Sequence, residues 1–279
     1  MLLNIPSTPI ELMDSIIDIS KSAGEKILTI YRKGFTVAHK EDYSPLTEAD
    51  LAAHKTIVQG LEALTQMIPI LSEESKEIPF SERSTWQRYW LVDPLDGTKE
   101  FIKGSGEFTV NIALIENNQP ILGVVYAPAL DQLYYAAKGC GAFQRKKGKI
   151  TRLKTKSRVH GVPVQVAGSR SHTDKYLEVF LQDIKEHHLV AMGSSLKFCL
   201  VAEGKADIYP RFGLTSEWDT GAAQCIVEES GGAVIDLKGE VLRYNIKDSL
   251  LNPYFLTVAA DISYWQQFIP DDLKNNNSI

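Results

Sequence analysis

The stretch "WLVDPLDGTKEF", residues 90–101, decides how this chain reads. An apolar run ends in two aspartates, Asp93 and Asp96, with Pro94 and Leu95 between them and Gly97, Thr98, Lys99 and Glu100 behind. The run predicts a buried strand, Pro94 a fixed turn, and "DGTK" the opening of a helix whose first amides, at Gly97 and Thr98, lack partners within the helix. Two carboxylates held that close repel each other and favour protonation unless a cation lies between them.

Two more acids fall at element ends: Glu73 follows the apolar "IPIL", and Asp219 stands at the start of the helical pattern "WDTGAAQ". Several carboxylates without accompanying histidine or cysteine form the donor set of a hard cation, and Mg²⁺ is the one this pattern points to. Leu95 can add only its backbone carbonyl. With cations in place, the amides after Asp96 face a natural phosphate position. The competing reading is local, with Asp93 a cap, Asp96 a turn former and Glu73 an exposed loop acid.

A chain of 279 residues, 44% of them hydrophobic, has room for one large or two packed subdomains. The net charge of −5 argues against a nucleic-acid polymer as partner. Cys140, Cys199 and Cys225 are odd in number and lack CxxC spacing, so neither a disulfide framework nor a zinc site is expected, and a reducing, cytoplasmic setting fits. Near the N-terminus Glu11, Asp14 and Asp18 interrupt the apolar residues, so the segment reads as mature protein. No run approaches the ~18 apolar residues of a membrane span, while peripheral attachment at the inner face of the cell membrane stays open.

Thr8, Pro9 and Glu11 open a helix expected to end near Gly34, and a second helix begins at Thr47 with Asp50 in its first turn and Leu51, Val58, Leu61 and Leu64 on one side. The runs "FTVNIALIE", "ILGVVYAP" and "DQLYYAAKG" predict an antiparallel meander, and the basic residues 144–158 a hairpin and boundary. From "VPVQVAGSR" to "GAVIDL" strands and helices alternate. An α+β half, residues 1–157, holding most of the candidate metal ligands, is thus expected to be followed by an α/β half, residues 158–279.

"WLVDPLDGTKEF", with "LSEES" upstream and "WDTGAAQCIVEESGGAVID" downstream, resembles the signature set of the lithium-sensitive, magnesium-dependent phosphatases related to inositol monophosphatase. The resemblance implies a layered α-β-α-β-α sandwich of the inositol monophosphatase and fructose bisphosphatase type, two or three Mg²⁺ ions, and inhibition by lithium. It makes Glu73, Asp93, the Leu95 carbonyl, Asp96 and Asp219 metal ligands, and Asp50 with Thr98 the pair that orients and deprotonates the attacking water. This is two-metal phosphoryl transfer, with the second ion ~4 Å away steadying the leaving oxygen and no covalent phosphoenzyme required. Taken alone, Asp50 would read as a helix-start acid favoured by the dipole.

Within that family the Lys99-Glu100 pair replaces the Thr-Asn of the inositol branch, and resembles the branch that removes the 3′-phosphate from adenosine 3′,5′-bisphosphate, a nucleotide linked to sulfate assimilation. "GSRSH", residues 168–172, is similar to that branch's nucleoside loop, which puts His172 beside the base or ribose, although a lone loop histidine is more often merely exposed. Residues 193–213 resemble its second-phosphate site, where Ser194, Lys197 and Arg211 would offer a hydroxyl, a point charge and a planar fork. Lys197 by itself would read as a solvated helix lysine. Residues 95–100, Glu73 and Asp219 complete the implied substrate contacts. The expected reaction is Mg²⁺-dependent release of phosphate to give AMP, with the 5′-sulfated analogue also accepted. The rival readings are an inositol or other sugar phosphatase, and a non-catalytic metal or nucleotide sensor; monomer and homodimer are both open.

Overall fold

The computed structural model describes residues 8–39, 45–159, 161–169, 175–259 and 261–274. Helix α1 (Pro9–Lys33) starts where its sequence says it should: the Glu11 carboxylate accepts the Thr8 amide at 3.1 Å, and Gly34 ends it. A short antiparallel pair, β1 (Val37–His39) and β2 (Pro45–Thr47), leads into α2 (Glu48–Leu64). Of the residues expected on the buried side of α2, Leu61 is buried and Leu64 packs against the core, but Leu51 is 50% exposed and the buried face runs through Ala49, Ala53, Ile57 and Leu61. Small alanines let α2 lie close against its neighbours, and turning Asp50 inward puts the next residue, ~100° further round the helix, towards water.

One sheet has seven strands in chain order: β3 (Ile70–Ser72), β4 (Arg88–Asp96), β5 (Thr109–Glu116), β6 (Gln119–Ala127), β7 (Gln132–Ala137), β8 (Gly141–Lys146) and β9 (Lys149–Arg152). β3 and β4 are parallel, joined through α3 (Phe80–Arg83), and the rest is the expected meander. Its hairpins turn where side chains tolerate positive φ, at Asn117 and Asn118 (49° and 64°) and at Lys147 and Gly148 (48° and 74°). All four residues of the edge strand β9 are exposed. The short α4 (Thr98–Lys103) follows β4.

The second sheet has the order β11 (His187–Ala191), β10 (Val164–Gly168), β12 (Ile208–Arg211), β14 (Phe255–Val258), β13 (Ala233–Asp236). The alternating pattern anticipated four of these strands but not β14, which runs antiparallel to both neighbours and fills the place between β12 and β13. The helices are α5 (Lys175–Ile184), α6 (Leu196–Ala202), α7 (Glu217–Glu229), α8 (Ile262–Gln266) and α9 (Asp271–Lys274).

Alternation along the strands sorts the core into three slabs. Trp90, Val92, Val110 and Ile112 face α1 and α2, whereas Tyr89, Leu91, Ala113 and Ile115 face the other way, onto α6 and α7. Ala167, Tyr209, Val234 and Phe255 of the second sheet join that middle slab, while Val166, Ile208, Ile235 and Leu256 meet Phe180 of α5 and Trp265 of α8. The result is five layers, α-β-α-β-α, with α6 and α7 in the middle. No helix among the described residues is long and apolar enough to cross a membrane.

Candidate active site

β4 bulges at Pro94 and Leu95, where the register with β5 shifts between Asp93 and Asp96. Gly97, the next residue, has φ 87°, and an added Cβ there would stand 3.2 Å from both the Glu107 carbonyl and the Ser194 side chain. This kink holds both aspartates at the strand's end, and α7 brings its N-terminus to the same point. Among the described residues, Asp93, Asp96 and Asp219 can each place one carboxylate oxygen within 4.8 Å of the others. Glu73 stands beside them, anchored by its amide to the Val92 carbonyl at 3.1 Å and hydrogen-bonded through its carboxyl to Asp93.

Burial, together with the charges of Glu73, Asp96 and Asp219, pushes the Asp93 carboxyl well above the ordinary carboxylate range. Asp219 is pushed up to about 8 by burial first and then by Asp96 and Glu73. A crowded set of carboxylates, in which Asp93 and Asp219 keep their own charge poorly, is compensated by a hard divalent cation, so the residues fit a metal site.

Each acid is also fixed by its neighbours. Asp93 accepts the Leu95 amide at 3.0 Å, and Asp219 accepts the Ser216 amide at 2.9 Å, closing the capping box that Ser216 opens at the start of α7. Asp50, buried, accepts the Thr47 amide and hydroxyl at 2.7 and 2.6 Å on Oδ2 and the Thr98 hydroxyl at 3.3 Å on Oδ1. Thr98 Oγ1 also lies 3.3 Å from the Leu95 carbonyl. The expected base and water-orienting hydroxyl therefore meet, although they lie 48 residues apart in sequence.

Beside the acids opens a cavity of about 140 Å³ whose walls include Asp96, Ser194, Lys197, Tyr209, Arg211 and Asp219. Gly97 and Glu100 also line it, but Lys99 does not and is exposed. Lys197 is buried, donates to the Ser194 carbonyl at 2.7 Å and sits 5.3 Å over the Tyr209 ring. Burial lowers its pKa, and the nearby Arg211 lowers it further. Arg211 donates through Nε to Thr215 at 2.8 Å and through Nη2 to the Leu214 carbonyl at 2.9 Å. His172 lies outside the described residues.

Three residues at the site carried no signal of their own in the sequence. Ser194 Oγ, Ser195 N and Ser195 Oγ all point at Asp96 Oδ2, at 2.6, 2.6 and 2.7 Å. Asn111 donates to Ser195 Oγ at 2.8 Å, and Thr109 Oγ1 lies 2.6 Å from Ser194 Oγ. The Ser194 hydroxyl, expected on a substrate phosphate, is thus engaged with Asp96, as is the Ser195 amide at the start of α6. The only hint was the polar pair Thr109 and Asn111 in an otherwise apolar strand.

Comparison with known proteins gives a consistent result. The model of the inositol monophosphatase family matches residues 11–266. A 3′(2′),5′-bisphosphate nucleotidase CysQ from Salmonella typhimurium is 50% identical over 246 residues, 88% of this chain and 98% of that protein. A protein of the same name from Aggregatibacter actinomycetemcomitans is 40% identical over 264 residues, 94% of this chain and 98% of its own length. The crystal structure of CysQ from Bacteroides thetaiotaomicron, described as a bacterial member of the inositol monophosphatase family, superposes with a TM-score of 0.79 at 40% identity, covering 91% of this chain and 98% of that one.

Proposed function

The chain belongs to the inositol monophosphatase family, and from that premise we propose that it is a metal-dependent phosphatase that hydrolyses adenosine 3′,5′-bisphosphate to AMP and phosphate. The observation that carries the proposal is the trio Asp93, Asp96 and Asp219 within 4.8 Å, opening onto a cavity walled by Lys197 and Arg211. A substrate with two phosphates needs carboxylate-held cations for one and protein cations for the other.

Asp93, Asp96, Asp219, Glu73 and the Leu95 carbonyl would hold Mg²⁺, two or three ions as the family resemblance implies. When bound, the ions supply Lewis-acid stabilisation of phosphoryl and leaving-group charge and make water easier to deprotonate. Thr98 Oγ1 orients the attacking water, and Asp50 Oδ1 receives its proton. Asp50 is suited to this because Thr47 occupies its other oxygen. The bond from phosphorus to the ribose 3′-oxygen breaks as the water oxygen bonds to phosphorus, and the 3′-oxygen leaves as the alcohol with a proton from solvent. Lys197 and Arg211 face the 5′-phosphate, with Arg211 keeping Nη1 beyond the two nitrogens tied to its own loop. The 5′-sulfated analogue fits the same scheme. The division into residues 1–157 and 158–279 and a reducing, cytoplasmic setting belong to the proposal; peripheral membrane attachment does not.

The test is phosphate release from adenosine 3′,5′-bisphosphate, inositol 1-phosphate and fructose 1,6-bisphosphate, each with Mg²⁺ and with EDTA. Mg²⁺-dependent preference for the nucleotide is expected. Preference for either sugar phosphate would remove Lys197 and Arg211 from a second-phosphate role, and no release from any substrate would favour the non-catalytic sensor.

A further inference from the structure

Asp96 Oδ2 receives three short hydrogen bonds, all from residues 194 and 195, and that oxygen has little capacity left. The backbone delivering them is unusual. Ser194 has φ 55°, the left-handed region that a residue with a side chain seldom adopts, and Ser195 follows at φ −64° and ψ −7°. Successive left- and right-handed residues turn their amides to one side and form a small anion-binding concavity. Here the anion is the Asp96 side chain. The conformation at Ser194 is disfavoured for a residue with a side chain and persists only where its surroundings enforce it. Lys197 grips the Ser194 carbonyl at 2.7 Å, and Thr109 lies 2.6 Å from its hydroxyl.

The Ser195 hydroxyl has one proton and three neighbours: Asp96 Oδ2 at 2.7 Å, the Asp219 carbonyl at 2.9 Å, and Asn111 Nδ2 at 2.8 Å. Asn111 can only donate through that nitrogen, so the Ser195 proton must turn away from it, towards the two oxygens. Asn111 is itself oriented, since its Oδ1 accepts the Thr109 hydroxyl at 3.0 Å. The register explains why these two residues are there: Thr109 lies directly across from Asp96, and Asn111 across from Asp93.

We propose that Ser195 and Asn111 are positioning residues for the cation site: they hold Asp96 Oδ2 in the turn at residues 193–195 so that Oδ1 alone is offered to the ion. Asp96 would then offer the ion a single oxygen, and the Ser195 link to the Asp219 carbonyl ties the two acids into one frame. The inference rests on the reading of these acids as a metal site, and its consequence is a metal affinity set by two uncharged residues that never touch the ion.

The test is calorimetric titration of Mg²⁺ into the substrate-free protein, so that turnover is not the readout. Ser195→Ala is expected to weaken Mg²⁺ binding about tenfold, the lower end of what removing an outer partner of a metal ligand does. Asn111→Ala is expected to weaken it in the same direction, and Ser195→Thr, which keeps the hydroxyl, to bind within about twofold of the wild type. Melting in EDTA reports folding separately: a purely structural role would lower the melting temperature and leave Mg²⁺ affinity unmoved. Unchanged affinity in both Ser195→Ala and Asn111→Ala overturns the proposal alone. Absence of Mg²⁺ binding by the wild type overturns it together with the metal reading on which it rests.

Discussion

Asp50 divides its two oxygens between two partners, Oδ2 holding Thr47 at the start of α2 and Oδ1 meeting Thr98. A helix-start acid can therefore also serve as the proposed proton acceptor, and the two readings of Asp50 need not compete. Thr98→Ala, which removes a hydroxyl but no charge, is expected to lower kcat by ~10²–10⁴-fold with Mg²⁺ half-saturation nearly unchanged, as measured by steady-state kinetics over a metal series. Asp93→Asn, by contrast, is expected to abolish turnover at millimolar Mg²⁺, with calorimetry showing that the metal no longer binds. The acids were legible because each stands at an element boundary, Glu73, Asp93 and Asp96 behind apolar runs and Asp219 at the start of a helical pattern. Ser195, Asn111 and Thr109 were not, because their use depends on which strand position faces which, and on a turn some 80 residues away in the chain. Hydroxyls and amides have no meaning in a sequence until the register is known.

At the scale of elements, α7 presents Asp219 only because it lies hard against the seven-stranded sheet. A Cβ on Gly123 of β6 would overlap the Ala222 carbonyl and crowd Cys225. Gly123→Ala is therefore expected to push α7 off the sheet, costing ~1–3 kcal/mol by overpacking, visible as a lower melting temperature together with weaker Mg²⁺ binding. An unchanged Mg²⁺ affinity in a destabilised variant would show that α7 tolerates the shift. The meander and the alternating elements were readable from period-two runs and turn residues. The buried face of α2 was readable only in part, since large residues draw attention and Ala49 and Ala53 pack there too. β14 escaped because "YFLTV" is short and follows Pro253, and no pattern in sequence says that a late strand returns to the middle of a sheet.

At the scale of the molecule, the acids at the meeting of the two sheets make folding sensitive to pH and metal together. Asp219 has a folded pKa of about 8 without metal, well above the 3.8 ordinary for an aspartate, so the metal-free folded state binds protons that the unfolded chain has lost. That contribution is complete below the unfolded pKa and disappears as pH rises through the folded one. In EDTA the melting temperature should fall between pH 5 and 8.5, and Mg²⁺ should restore more of it at pH 8.5 than at pH 6, where protons already serve as counter-ions. Equal stabilisation by Mg²⁺ at both pH values would dissociate the buried acids from the metal. The edge strand β9 bears on the molecule as a whole in another way. Its four exposed residues, with Lys149 and Arg152 at its ends, close the seven-stranded sheet at a border of unpaired backbone. Two copies approaching border to border would set cation against cation, so crowding does not become fibre growth, and the repulsion that keeps them apart weakens as salt shortens its reach below ~10 Å.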